Sequence, residues 1–222
     1  MREYHKIKTV NLRDNKTHKL TNMFRDEAVE YLKDNEWIFT EKIDGTNIRV
    51  YWNGYNVEIA GRTDSAQIPK ELMERLSELF LGNENEQMFE QKFNDMEVTL
   101  YGEGYGRKIQ NGGEYNTHND KQDFILFDVK VGKTWLDREN VIDIANAFGL
   151  KYVPVIHGVK TIQQAIDYIK TNPNSLVGNK KMEGVVGTPK IRLFNHKGER
   201  IIVKIKYKDY KEKMKWNQKE VK

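Results

Sequence analysis

Residues 41–47 read EKIDGTN and run on into IRVYW at 48–52. A lysine stands two residues ahead of an Asp-Gly turn, and the β-branched and aromatic residues that follow favour a strand. On an ordinary surface strand Lys42 would only solvate its face. Where a strand meets a turn, its amine can instead point into a cleft. Next comes NGYNVEIA, in which Asn53-Gly54 between apolar and aromatic runs is a strong hairpin signal. Lys42 therefore opens an antiparallel unit.

Working outward, DEAVEYLKD at 26–34 has apolar residues at helical spacing, and WIFTEKIDG changes to strand-like alternation. IPKELMERLSELFLG predicts an amphipathic helix with proline in its first turn and Gly82 at its end, which QMFEQKF continues. MEVTLYGEGYG and DFILFDVKVGKTWL read as strands, the first ending in a glycine-rich bend. ENVIDIANAFGL and TIQQAIDYIKTN read as helices. MEGVVGTPKIRLFN, a turn at HKGER and IIVKIKYKDY then form the last hairpin of a sheet. Strands and helices interleave without a regular βαβ period, so the fold class is α+β, built of antiparallel sheets flanked by helices. No repeat, linker or composition shift marks a domain boundary, and one domain over 1–210 is expected.

The chain has 222 residues with 37 basic and 33 acidic side chains, a formal net charge of +4. From Arg200 to Lys222 nine Lys/Arg stand against three Asp/Glu, so this end alone carries more positive charge than the whole chain. Such a basic pole suits a polyanionic partner. The absence of cysteine removes disulfides, thiolate metal sites and cysteine nucleophiles, and suits a reducing cytoplasm. No apolar leader opens the chain and no run reaches the length of a membrane span, so no membrane partner is expected. The five histidines are scattered, and neither a phosphate-binding loop ending in Gly-Lys-Ser/Thr nor a Gly-x-Ser-x-Gly elbow occurs.

EKIDGTN is followed in order by GRT at 61–63, YGEGYG at 101–106, FILFDV at 124–129, MEGVV at 182–186 and VKIK at 203–206. This ordered set resembles the motifs of the covalent nucleotidyltransferase superfamily: ATP-dependent DNA and RNA ligases and mRNA capping guanylyltransferases. The likeness is greatest to the RNA ligase 2-like branch, where the opening motif ends in Asn and a stretch similar to RKIQNGGEYN follows the third. It runs from about residue 4 to residue 210.

The resemblance implies a nucleotidyltransferase fold, of the ATP-grasp-like type, and an ATP-dependent polynucleotide ligase acting on RNA. Lys42 would be the nucleophile that takes AMP from ATP. Lys204 and Lys206, alternating on a strand and so sharing a face, would crowd Lys42 and bind the α-phosphate. Glu183 would bind Mg²⁺ or Mn²⁺, and Glu103 the ribose or the metal, since hard oxygen ligands suit those ions. Phe127 would stack on the purine with Val185 opposite. Glu41 would contact the base edge, Arg62 a phosphate or ribose, and Asn47 the terminal hydroxyl end during sealing.

Partners would be RNA 5′-phosphate and 3′-hydroxyl ends, or DNA ends, with a separate end-binding subunit as one option. The family usually carries a second domain. Here 16 residues follow Lys206, a short basic tail at 211–222 with Trp216 able to dock it. A minimal DNA ligase, a capping guanylyltransferase, or a nucleic-acid-binding module with vestigial catalytic features are the alternatives.

Overall fold

The computed structural model describes residues 3–211, so the tail beyond 211, with Trp216, lies outside the described residues. The chain forms two compact units, each made of two separate stretches. The inner-chain unit comprises Asp44–Val153 with residues 3–5, and the outer-chain unit Lys6–Ile43 with residues 154–211. This differs from the single unit read from composition. The crossings fall after His5, Ile43 and Val153, the second of them inside EKIDGTN, so no linker composition announces them.

In chain order the elements begin with β1 (Lys8–Thr9), β2 (Asn11–Arg13), β3 (Leu20–Phe24), α1 (Glu27–Tyr31) and β4 (Trp37–Lys42). Then come β5 (Thr46–Trp52), β6 (Val57–Ala60), α2 (Lys70–Phe80), α3 (Asn83–Phe93), β7 (Val98–Gly106), β8 (Gln122–Val131) and β9 (Thr134–Trp135). The rest are α4 (Arg138–Ala147), β10 (Lys151–Tyr152), α5 (Ile162–Lys170), β11 (Gly184–Pro189) and β12 (Val203–Lys206). Among the described residues no helix is long and apolar enough to cross a membrane.

In the inner-chain unit the sheet runs β10-β8-β7-β5-β6, with β9 on β8. Alternation along β5, β7 and β8 turns Ile48, Val50, Leu100, Phe124 and Leu126 into a buried cluster. Leu72, Leu76 and Phe80, four residues apart on α2, complete its helical side, and QMFEQKF belongs to a separate helix, α3, which adds Phe89 and Phe93. Of the glycines of YGEGYG, Gly102 and Gly104 lie within β7, and Gly106, at φ +117°, ends the strand where the chain turns. Gly102 is there for close approach, because a Cβ on it would lie 2.1 Å from the ring of Phe124.

In the outer-chain unit the sheet runs β1-β12-β11-β4, and β2 and β3 form a separate hairpin. Thr161 caps α5 in a reciprocal capping box with Gln164. That helix buries Ile162, Ala165, Ile166 and Ile169 in a cluster with Trp37, Phe39, Val185, Val203 and Ile205. All pairing is antiparallel except at two short edges, β1 on β12 and β10 on β8. The architecture is α+β, as the interleaved pattern implied.

Candidate active site

The outer-chain sheet places the predicted charged residues by register. Lys42 ends β4 opposite Gly184 on β11, and Gly184 is opposite Lys206 on β12. One row contains Lys42, Gly184 and Lys206; two residues on, another contains Thr40, Val186 and Lys204. Rows two apart share a face, so the three lysines stand on one side of the sheet. Gly184 cannot carry a side chain between them: a Cβ would lie 2.1 Å from the carbonyl oxygen of Ile205 and 2.8 Å from Cα of Lys206.

Glu183, the residue before β11, turns its carboxylate onto this face. Lys42 Nζ donates to Glu183 Oε2 at 2.6 Å, and Lys206 Nζ lies 3.7 Å from Glu183 Oε1. The Lys42, Glu183 and Lys206 side chains are only 25%, 18% and 15% exposed, so these charges act on one another with little solvent between them. Burial pushes the Lys204 ammonium below its usual range, and the positive charges of Lys206 and Lys42 push it further. Burial also lowers Lys206, outweighing the attraction of Glu183. Three lysines against one carboxylate leave this face with surplus positive charge, the electrostatics a bound phosphate group requires.

Two assignments on this sheet are corrected by strand parity. Val185 shares its row with Glu41 and Ile205, on the core side away from the lysines, and is buried. Val186, half-buried, is the aliphatic residue on the lysine face. Glu41 is buried too. Its Oε1 accepts from Ser175 Oγ at 2.5 Å and its Oε2 from the Leu176 amide at 2.8 Å. Burial raises its pKa above the ordinary value, and the two hydrogen bonds partly offset that rise. Glu41 thus anchors the 175–176 segment to β4 instead of offering a free carboxylate to a base edge.

The inner-chain unit holds the remaining predicted residues. Opposite its apolar side, the sheet presents Asn47, Arg49, Tyr101 and Glu103, with Asn47 paired to Glu103 across β5 and β7. Asn47 Oδ1 is buried without a hydrogen-bond partner, an acceptor that lacks its donor. Phe127 is the extra residue of a β-bulge: Gly102 pairs with Leu126 and Tyr101 with Asp128, leaving 127 unpaired. Its half-buried ring meets Tyr4 edge-on at 5.0 Å. Arg62 lies on an exposed loop.

That loop is held by a residue the sequence reading passed over. Arg49, fully buried, donates from Nε to the Gly61 carbonyl at 2.7 Å and pairs with Asp64 at 2.8 Å. Its alternation in IRVYW marks it as the one charge on an otherwise apolar strand, the signal that was available. Asp44 is held as well: its amide donates to Tyr115 Oη at 3.0 Å, and Asn111 Nδ2 donates to its Oδ2 at 3.1 Å. The polar stretch RKIQNGGEYN is thereby a brace for the turn that follows Lys42.

Residues 35–206 match the family model of RNA ligase. This stretch spans more than half of the chain and contains Lys42, Glu183, Lys204 and Lys206. The chain belongs to the RNA ligase family. Solved structures of the Naegleria gruberi RNA ligase share its fold. A lysine-to-methionine variant with AMP and Mn superposes with a TM-score of 0.63 at 21% identity, covering 84% of this chain and 54% of that one. A lysine-to-alanine variant with ATP and Mn gives 0.63 at 20% identity, covering 96% and 63%. The structure with PPi gives 0.61 at 24% identity, covering 85% and 54%. The chain thus spans between about half and two thirds of that ligase. No curated protein sequence is matched.

Within this RNA ligase family member, a divalent ion finds suitable but incomplete donors. Among the described residues no group of three or more His, Asp or Glu gathers to hold a metal. Glu183 offers a hard carboxylate on the lysine face, the donor type that Mg²⁺ and Mn²⁺ prefer, and both ions commonly complete their shells with water and substrate phosphates. That carboxylate also pairs with Lys42 and Lys206.

Proposed function

We propose that the chain is an ATP-dependent RNA ligase that joins 3′-hydroxyl and 5′-phosphate RNA ends through a lysyl-AMP intermediate, with Mg²⁺ or Mn²⁺ as its metal. The observation that carries the reading is the row Lys42, Gly184, Lys206 with Glu183 turned onto it, inside the family-matched segment. The ligands in the Naegleria gruberi ligase structures, ATP, AMP, PPi and Mn, support the same chemistry.

In the first step the neutral Lys42 amine attacks the α-phosphorus of ATP. A P–N bond forms, the bond to the β-phosphate oxygen breaks, and pyrophosphate departs. Lys42 Nζ donates to the Glu183 carboxylate. A metal bound at Glu183 would supply shielding for the phosphates and draw the carboxylate away from the amine. Lys204 and Lys206 stabilise the charge that grows on the α-phosphate in the transition state. AMP next passes to the 5′-phosphate of an RNA end. Attack by a 3′-hydroxyl forms the phosphodiester and releases AMP. Asn47, with its partnerless buried acceptor, is suited to receive a hydrogen bond from a substrate hydroxyl. Phe127 would stack on the base.

A cytoplasmic setting, where ATP and Mg²⁺ are supplied and thiol chemistry is not needed, belongs to the same proposal. The test is a joining assay with two RNA strands on a complementary splint, run in parallel with the DNA equivalents. Joined RNA that depends on ATP and on a divalent ion is the expected product. Joining of DNA alone would replace RNA by DNA in the proposal, and absence of joining even with pre-adenylated ends would overturn it.

A further inference from the structure

We propose that the hairpin joining β11 to β12, residues 190–202, is a docking surface for a single-stranded segment of the RNA substrate, an inference that rests on the ligase reading above. The segment reads KIRLFNHKGERII. Its turn is self-supporting. Asn195 Oδ1 accepts from the amides of Lys197 and Glu199 at 2.9 and 3.0 Å, and the Asn195 amide donates to the Glu199 carbonyl at 2.8 Å. Below it Phe194 and Arg200 form a bridge, and the Ile201 amide donates to the Leu193 carbonyl at 3.0 Å. The tip is thus held by its own bridge, outside the β11–β12 ladder that sets Lys204 and Lys206 in register.

This preformed arm exposes apolar surface that its own packing does not use: Ile191 is 76% exposed, Phe194 52% and Leu193 36%. Basic residues are interleaved with them. In sequence the segment carries Arg192, Lys197 and Arg200 with one acid, Glu199, which accepts a hydrogen bond from Asn195 Nδ2, and Lys190 pairs with Glu36 at 2.9 Å. A protein-binding patch concentrates apolar residues and sheds charge at its centre. Here an aromatic ring and cations alternate along one short arm, the composition that grips a single strand by stacking bases and neutralising phosphates. Because the turn is already ordered, little conformational entropy is lost on binding.

The test titrates the full chain against a short fluorescein-labelled single-stranded RNA and follows anisotropy over a series of NaCl concentrations. Phe194→Ala is expected to weaken binding about fivefold or more at every salt concentration without changing the salt dependence. Phe194→Trp, which retains a stacking face, should bind like the parent. Lys197→Gln should reduce the slope of log affinity against log salt by about 0.7. Lysyl-AMP formation from ATP should be unchanged in all three. Unchanged affinity and slope would overturn the proposal, as would a change in Phe194→Ala confined to self-association in sedimentation. If the parent forms no lysyl-AMP, the ligase reading fails, whereas the anisotropy series still decides whether the hairpin binds RNA.

Discussion

The two sheets of this chain have the same construction and opposite chemistry. Each buries one face against helices through period-2 alternation. On its other face the outer-chain sheet carries Lys42, Lys204 and Lys206 around Glu183, while the inner-chain sheet carries Asn47, Glu103 and the bulged Phe127. The first array is suited to stabilising phosphate charge. The second is suited to recognising uncharged parts of a substrate. On the proposed reading the first face serves reactivity and the second recognition, so variants on each should fail in different ways.

The largest effect is expected on the outer-chain sheet. Lys206→Ala removes a cation from the lysine face and its ion pair with Glu183. Its rate of lysyl-AMP formation in single-turnover quench assays should fall about a hundredfold or more. A smaller and different loss is expected on the inner-chain sheet. Asn47→Ala deletes one hydrogen-bond acceptor and should slow sealing of pre-adenylated RNA about tenfold, with adenylylation much less affected. Equal losses in both steps for either variant would erase the division between the two surfaces.

The smallest effect concerns stability. The folded pKa of Glu41 is raised by burial above its ordinary value of 4.5. The folded state therefore binds this proton more tightly than the unfolded one. The contribution is complete below about pH 4.5 and is lost as pH rises through the folded pKa. Glu41→Gln keeps an acceptor for the Leu176 amide and cannot titrate, so its urea stability should fall less than the parent's as pH rises above the usual carboxylate range. A parallel pH profile would show that the Glu41 charge is solvated or compensated.

The sequence made the lysine face legible because its residues are few and strongly typed. EKIDG, MEGVV and VKIK carry one to three charges each on otherwise strand-like runs, and register alone brings them together. What it could not give was parity between strands. Val185 and Val186 are indistinguishable until β11 is paired with β4, and a shift of one residue sends a side chain to the other face. Glu41 illustrates a second limit: its partner Ser175 lies 134 residues away, beyond any local pattern. The two-residue edge strands β1 and β10 have no periodicity of their own and exist only through their partners. The run YGEGYG suggested a closing bend, and only its last glycine, Gly106 at φ +117°, serves one. Its Gly102 is explained by the ring of Phe124, which no spacing rule encodes. The division into two units was hidden for a related reason, since each unit is assembled from distant stretches.

The measurement that bears most heavily on this account is intact-protein mass spectrometry after incubation with ATP and Mg²⁺, comparing the parent with Lys42→Ala. A gain of one AMP in the parent and none in Lys42→Ala, with release of pyrophosphate, is the predicted result. An AMP adduct that persists in Lys42→Ala would place the nucleophile elsewhere and contradict the assignment of the lysine face.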